Sequence, residues 1–534
     1  MRESVLLNEL ISVAAQRHPE SIALVHGAVS RRYSELDNEV RCIAEGLLHL
    51  GLGRGQRVAI YLEKRVETVV SSFAAAAAGL VFVPLNPLLK PEQVLFILLD
   101  CDVQVLVTSP DRLALLAPVL AQCPTLRHVV MTEAPAAMAD LPARISLATW
   151  AELLKARPRP MHRVIDTDMV AILYTSGSTG KPKGVVLSHR NMVAGAKSVA
   201  SYLENRADDV LLAALPLSFD AGFSQLTTAF HVGARVALLD YLMPRDVLKA
   251  LVREQVTALT AVPPLYIQLA QLEWPAEIDK RLRYFANTGG RMPRATLNLL
   301  RSRVPSAKPF LMYGLTEAFR STYLPPDQVD VRPDSIGQAI PNAEILVLRE
   351  DGSLCDADEP GELVHRGPLV GLGYWNDAEK TAERYKLLPP GLPCRQGGLQ
   401  LPEFAVFSGD NVRRDGEGFL YFIGRRDEMM KMSGYRVSPT EVEEVLYATK
   451  LVGECVAFGV DHASWGQAVQ VIATPAADGA ELDVNAVLAA CKTKMPAYMV
   501  PAGIEPAVGP LPRNPNGKID RKWLATDWVL RHVG

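Results

Sequence analysis

No CxxC pair occurs among the seven cysteines of this 534-residue chain (Cys42, Cys101, Cys123, Cys355, Cys394, Cys455 and Cys491). That excludes zinc ribbons and dithiol redox motifs, and the scattered, odd-numbered cysteines suit a reducing cytosol. Neither sign of charge is in excess: 56 Lys and Arg stand against 59 Asp and Glu, a net charge of −3. A nucleic-acid surface covering the whole molecule is therefore excluded, though a local basic pocket is not. Long apolar runs are lacking too. The longest, from Val69 to Val83, contains Ser71 and Ser72 and stops at Pro84. It reads as a buried helix over Val66–Ala78 that turns at Gly79 into a buried strand, not as a membrane span. The first residues lack the unbroken apolar core of a signal peptide. No internal repeat of about 20–50 residues and no low-complexity linker interrupts the chain. With 49% hydrophobic and 22% charged residues, wholesale disorder is excluded as well. A soluble, cytoplasmic globular protein is expected.

What is present is alternation. Short β-branched runs (Arg57–Tyr61, Val103–Thr108, His128–Met131, Val170–Leu173, Val236–Leu239, Ala258–Val262, Ile345–Leu348) alternate with helical stretches such as Tyr33–Leu50, Pro91–Leu99 and Arg245–Glu254. Such alternation predicts an α/β fold with parallel sheets covered by helices. The Gly/Pro-rich stretch Leu387–Pro402 reads as a surface loop or insertion. After the polar Gly424-Arg425-Arg426-Asp427 the pattern restarts as a region of about 100 residues, a normal domain size. It carries a helix over Pro439–Ala448, strands near Cys455–Val460 and Val469–Thr474, and a helix N-capped by Asp483 and ending at Lys494. Two domains are expected: residues 1–426, parallel-rich sheets plus a β-subdomain, and residues 427–534, a small mobile α+β domain.

The most informative stretch is Tyr174-Thr175-Ser176-Gly177-Ser178-Thr179-Gly180-Lys181-Pro182-Lys183-Gly184, set between two apolar strands. Glycines let the backbone approach an anion and present N–H groups to it, while hydroxyls and lysines add donors and positive charge. A polyphosphate cradle is the natural reading. It is not a Walker loop, because Lys181 is followed by Pro182 where that pattern needs Ser or Thr. Nor does the chain contain a GxSxG elbow or a GxGxxG fingerprint.

The loop resembles the phosphate-binding signature of the AMP-forming adenylating enzymes, which include acyl-CoA synthetases, amino-acid adenylation domains and firefly-type luciferases. Four further blocks follow in the family's order: Tyr313-Gly314-Leu315-Thr316-Glu317, Ser408-Gly409-Asp410, Gly424-Arg425-Arg426-Asp427 and Asn516-Gly517-Lys518-Ile519-Asp520. The resemblance covers essentially the whole chain and is nearest to ligases of exosortase-type polysaccharide systems and to stand-alone aminoacyl-carrier-protein ligases. It implies that a carboxylate attacks the α-phosphate of ATP, pyrophosphate leaves, and the acyl group passes to a phosphopantetheine thiol. The acceptor is CoA or a separate acyl or peptidyl carrier protein, since no carrier domain or carrier attachment motif follows Arg521-Lys522.

By this resemblance Thr175, Ser176, Gly177, Ser178, Thr179, Gly180 and Lys183 hold the β- and γ-phosphates. Thr316 contacts the α-phosphate, and Glu317 coordinates Mg2+, a hard ion that takes one or two carboxylates plus phosphate oxygens. Asp410 binds the ribose, where one carboxylate accepts both vicinal hydroxyls. Arg425 supports the nucleotide, Tyr313 packs on the adenine, Gly314 and Phe422 are ATP/AMP-binding, and Gly289-Gly290-Arg291 form the loop beside the base and the acyl pocket. Ser408 stands where many relatives have threonine and keeps the hydroxyl. Lys518, in a Pro/Asn/Gly-rich turn, is the adenylation catalyst, a mobile cation bridging carboxylate and α-phosphate. Asp427 is the hinge, and Lys431, Ser433, Gly434 and Tyr435 line the thiol tunnel.

The acid pocket is expected from Phe219, Asp220, Phe223, Leu265, Thr288 and Phe319. Asp220 follows the aromatic gate residue Phe219, where amino-acid-activating relatives place the aspartate that pairs with the substrate ammonium and fatty- or aryl-acid relatives usually have an apolar residue. Asp is equally suited to N-cap the helix beginning at Ala221, and both roles stay open. The expected substrate is an amino acid or amino-acid-like acid; the alternative is a fatty or aryl acid joined to free CoA.

Overall fold

Runs that are apolar on both faces become strands buried on both faces, as parallel sheets require. The computed structural model describes residues 3–134, 141–175, 182–394, 401–426, 428–432, 435–462, 466–477, 479–496, 499–514 and 518–532. Arg57–Tyr61, Val81–Pro84, Val105–Thr108, His128–Met131 and Ser146–Thr149 pair in parallel. Met169–Thr175 joins the same eight-stranded sheet beside Val81–Pro84, and Lys183–Ser188 returns antiparallel to it.

A second sheet of fourteen strands has a parallel centre. In spatial order it runs Ile22–His26, Arg235–Leu238, Val210–Ala213, Ala258–Ala261, Tyr284–Asn287 and Lys308–Tyr313. Thr322–Leu324 and Ser335–Ala339 continue it antiparallel. The antiparallel strands Glu344–Leu348, Gly361–Arg366, Phe404–Arg414 and Leu420–Arg425, with Tyr385–Leu387 beside Phe404–Arg414 and Val29–Arg32 beside Ile22–His26, complete it. One continuous core joins the two sheets through the helices Tyr33–His49, Val66–Ala78, His189–Tyr202 and Asp220–Val232. Phe223 stacks there on Phe73 and Phe82, with ring centroids 5.8 and 5.0 Å away.

Beyond Arg425 the chain enters a separate five-stranded sheet, beginning with Met430–Met432 and built mainly on the long hairpin Val452–His462 and Gly466–Pro475. Helices Pro439–Thr449, Val484–Lys494 and Arg521–His532 accompany it, and its core is its own. Asp483 caps its helix as expected, accepting the Ala486 N–H at 2.9 Å. The expected α/β class, with a smaller α+β part, is the one adopted.

One expectation changes. Of the Gly/Pro-rich stretch Leu387–Pro402, residues 395–400 lie outside the described residues; among the others Leu387 and Leu401 are exposed, as a surface loop requires, but Leu388 and Leu392 are buried against the strands Glu344–Leu348 and Gly361–Arg366. Hydrophobic burial outweighs the loop-like composition there. No helix among the described residues is long and apolar enough to cross a membrane.

Candidate active site

Two strands of the antiparallel end carry the first group. Asp410 and Arg425 are cross-strand partners in the pair Phe404–Arg414 and Leu420–Arg425, with Arg425 Nε 3.4 Å from Asp410 Oδ1. The Tyr313 hydroxyl donates to Asp410 Oδ2, and the Tyr313 ring lies 6.3 Å from that of Phe422. Burial raises the Asp410 pKa, and the Arg425 charge opposes that rise. Asp410 Oδ1 is buried with no hydrogen-bond partner among the described residues, an acceptor left for something else. Ser408 Oγ accepts the Asp410 N–H at 3.1 Å. Gly409 needs its lack of side chain: φ is +70°, and a Cβ would fall 2.2 Å from Arg384 Nη1.

Lys518 comes to this group from the other end of the chain. Its Cε stands 3.9 Å from where a Cβ on Gly289 would be. The residue as a whole keeps solvent exposure, while the cleft walls around its ammonium, and then the Arg425 charge, lower its pKa against the pull of Asp220 and Asp410. Gly289 and Gly290 are thus beside Lys518 and Pro263. Arg291 is not: its guanidinium binds Asp334 (2.6 Å) and Glu444 of the helix Pro439–Thr449.

Thr175 and Lys183 oppose each other across the antiparallel strands that flank residues 176–181. Desolvation and the nearby positive charges of Lys380 and Arg384 lower the Lys183 pKa. Its Nζ lies 5.5 Å from the centre of the Tyr374 ring. The Tyr374 hydroxyl donates to Glu317 Oε1 at 2.5 Å. Ser176, Gly177, Ser178, Thr179, Gly180, Asp427, Ser433 and Gly434 lie outside the described residues, and Lys431 and Tyr435 are described by backbone alone.

The last group sits where the helix Asp220–Val232 begins. Gly222 lets that helix press onto the preceding loop, because a Cβ there would fall 1.7 Å from the Pro216 carbonyl oxygen. Asp220 is the first helical residue; Phe219 occupies the N-cap, and no side chain caps the helix. The capping reading of Asp220 is therefore corrected. Its carboxylate turns to side chains instead, accepting from Thr316 Oγ1 at 3.1 Å and from Arg320 Nη1 at 2.8 Å. Phe219 packs with Leu215, Ala221 and Val262, and Thr288 is buried at the end of the neighbouring strand. Phe223, Leu265 and Phe319 are core residues: Phe223 stacks on Phe73 and Phe82, Leu265 packs in the cluster of its own helix, and Phe319 abuts Gly195.

The site thus draws Asp410 and Arg425 from the fourteen-stranded sheet, Lys183 from the eight-stranded one, Asp220, Thr316 and Glu317 from helical turns, and Lys518 from a loop near the end of the chain. A family model described as AMP-binding enzyme matches residues 11–375, and its C-terminal-domain counterpart matches residues 441–518. The chain belongs to the AMP-binding enzymes. An L-proline–[L-prolyl-carrier protein] ligase of Pseudomonas fluorescens is 29% identical over 531 residues, covering 97% of this chain and 99% of that protein. A feruloyl-CoA synthase of Amycolatopsis is 30% identical over 513 residues, covering 95% of each. Among solved structures, the o-succinylbenzoate CoA synthetase MenE of Bacillus subtilis, in complex with its acyl-adenylate intermediate, superposes with a TM-score of 0.79 at 26% identity, covering 98% of both chains. The anthranilate CoA ligase AuaEII shares the fold with a TM-score of 0.86 at 24% identity, over 100% of this chain and 99% of that one.

Within this AMP-binding enzyme, sequence reasoning missed three side chains. Arg320 pairs with Asp220, Tyr374 holds Glu317, and Arg384 donates to the Phe407 carbonyl beside Gly409. A signal existed for Arg320, a lone charge in the otherwise uncharged run Ala318-Phe319-Arg320-Ser321-Thr322. Tyr374 and Arg384 carried none. Two other contacts frame the site: His365 Nδ1 lies 2.9 Å from Ser321 Oγ, and Glu362 accepts the Gly409 N–H at 2.9 Å and pairs with Arg426.

Proposed function

We propose that the protein activates a carboxylic acid as an acyl-adenylate, releasing pyrophosphate from ATP, and transfers the acyl group to the phosphopantetheine thiol of CoA or of a separate carrier protein. The observation that carries this reading is the position of Lys518 beside Gly289, within the fields of Asp220, Asp410 and Arg425. A lysine there offsets the negative charge that builds when a carboxylate attacks phosphorus, and a cation positioned in a cleft does so better than water.

Asp410 Oδ1, buried and without a hydrogen-bond donor, suits a ribose hydroxyl, with Arg425 and Tyr313 fixing the carboxylate. Lys183, Lys380 and Arg384 supply positive charge at the polyphosphate end, next to Thr175. Glu317 is the residue that would hold Mg2+. Among the described residues no cluster of three metal-binding side chains exists; one carboxylate with phosphate and water oxygens would suit this ion. When bound, Mg2+ neutralises phosphate charge; Tyr374 keeps Glu317 oriented for it. Thr316, hydrogen-bonded to Asp220, joins the phosphate side to the acid side. Asp427 as hinge, and Lys431, Ser433, Gly434 and Tyr435 along the thiol path, are proposed on their motif alone.

The acid is an amino acid or a close analogue. Each Asp220 oxygen accepts one hydrogen bond from the protein, so a lone pair on each remains for a substrate ammonium. A second reading, a fatty or aryl acid joined to free CoA, is favoured by the Arg320 charge, which already neutralises Asp220. Pyrophosphate exchange across amino, aryl and fatty acids tests both, followed by thioester formation with free CoA. Exchange confined to fatty or aryl acids, with Asp220→Ala still active, rules out the ammonium role.

A further inference from the structure

The glycine-rich loop leaves the eight-stranded sheet after Thr175 and re-enters it at Lys183, and Tyr174 and Gly184 are register partners across its two stems. Both stems are tied to one residue outside the sheet, Asp100. On the first stem the Tyr174 hydroxyl donates to Asp100 Oδ2, and Cys101 Sγ lies 3.2 Å from the same hydroxyl oxygen. Burial raises the Tyr174 pKa, so the hydroxyl keeps its proton and serves as the donor. On the second stem the Gly184 carbonyl accepts the Trp375 N–H at 2.7 Å. The Trp375 indole Nε1 then donates to the Asp100 carbonyl at 2.8 Å, as does Asn376 Nδ2. Gly184 lets the stems close on each other, because a Cβ there would fall 3.1 Å from the Tyr174 ring.

Asp100 is poorly placed for helix stability. It ends the helix Pro91–Asp100, whose last turn holds no basic residue, and a negative charge at a helix C-terminus opposes the macrodipole. The half-buried carboxylate therefore has a cause other than the helix, and Tyr174 is the partner it meets. The segment that braces the second stem also reaches the metal side. Gly373–Tyr374 pairs with Lys183–Ser188, and the Tyr374 hydroxyl donates to Glu317. Asp100 thus fixes the mouth of the loop, where Thr175 faces Lys183, relative to Glu317. The acid pocket expected at Phe219, Asp220 and Thr288 stands instead on the helix Asp220–Val232 and the fourteen-stranded sheet. Resting on the reading that the ATP phosphates lie at Lys183 and Glu317, we infer that Asp100 and Tyr174 are positioning residues for the triphosphate. Their hydrogen bond holds the loop stems in place, and its loss weakens Mg·ATP without disturbing the acid.

The test is calorimetry of Mg·ATP binding to the full-length protein. Pyrophosphate exchange, with whichever amino, aryl or fatty acid supports it best, separates KM for ATP from KM for the acid. The variants are Tyr174→Phe, which keeps the ring against Gly184 and removes the hydroxyl, Asp100→Ala, and the two combined. Asp100→Asn keeps an acceptor for the hydroxyl and guards against misfolding of the alanine variant. A hydrogen bond to an ionised acceptor corresponds to about tenfold or more in an equilibrium constant. Tyr174→Phe and Asp100→Ala are each expected to weaken Mg·ATP about tenfold and to raise KM for ATP likewise, with KM for the acid unchanged. The double variant is expected to be no weaker than either single one, because both remove the same bond, and Asp100→Asn to lose less than Asp100→Ala. Unchanged Mg·ATP affinity in folded Tyr174→Phe and Asp100→Ala overturns the inference and leaves adenylation standing. So do losses that add in the double variant, or an equal rise in KM for the acid. A wild type that neither binds Mg·ATP nor exchanges pyrophosphate with any acid overturns the adenylation reading, and this inference with it.

Discussion

Removing one hydroxyl tests how Glu317 is held. In Tyr374→Phe the donor 2.5 Å from Glu317 Oε1 is lost, while the ring, 8% exposed and edge-on to Tyr385, stays packed. A hydrogen bond to an ionised acceptor contributes about 1.5–3 kcal/mol. At about 1.4 kcal/mol per tenfold, that corresponds to roughly 10–150-fold in an equilibrium constant. Glu317 is only half-buried, so water replaces part of the loss and the lower end of that range, about tenfold, applies. Residues that orient a metal ligand typically influence metal affinity by about 10–100-fold, which agrees. The assay is the pyrophosphate-exchange rate as a function of free Mg2+. Half-saturation is expected to rise about tenfold, with the rate at saturating Mg2+ close to wild type, and Glu317→Gln supplies the limiting case. An unchanged Mg2+ curve in a folded Tyr374→Phe protein, with Glu317→Gln shifted, removes Tyr374 from the argument. If neither variant shifts, Glu317 is not the ligand.

Lys518→Ala is expected to slow adenylate formation on the order of 10²–10³-fold while thiol transfer from a supplied adenylate is largely kept; equal losses in both half-reactions contradict the placement of this lysine. Because the Lys518 pKa is lowered from 10.5, its cation is lost earlier as pH rises, so the alkaline limb of adenylation falls below 10.5 and disappears in Lys518→Arg. Gly222→Ala brings a Cβ against the Pro216 carbonyl and is expected to destabilise by about 3 kcal/mol or more, read as a shift in the denaturant midpoint at constant m. Burial holds His365 at about 3 and His189 at about 4, below the ordinary 6.5. The unfolded chain therefore takes up protons that the folded one refuses, and stability drops as pH falls from 6.5 toward 4. Thermal melts across that range are expected to show the drop, and to show less of it in His365→Gln.

The strands and helices were legible because their signals are local: β-branched runs and helical periodicity in the first two sheets, and the Asp483 cap beside the third, each depend on a few neighbours. The five motif blocks were legible in order for the same reason. Contacts between distant positions were not. Asp220 and Arg320 are separated by 100 residues, and nothing at either position announces the other. Asp220 has the residue type of an N-cap, but Phe219 takes the cap position and the Asp220 carboxylate meets Thr316 and Arg320, on either side of the turn at Phe319. The pairs Arg291 makes with Asp334 and Glu444 likewise join positions far apart in the chain. Leu388 and Leu392 lay in a stretch of turn residues, and their burial depends on strands far away in sequence.

The strand Gly361–Arg366 reaches both halves of the site: His365 meets Ser321, next to Arg320, and Glu362 meets Gly409, next to Asp410. A rigid ribbon six residues long therefore sets the spacing between sugar and acid, much as a common shaft keeps two wheels in phase. Because successive strand positions point to opposite faces, a slip of one residue in its pairing would unseat both partners at once. Damage to that ribbon should consequently register as a joint rise in KM for the nucleotide and the acid, never as a defect in one alone.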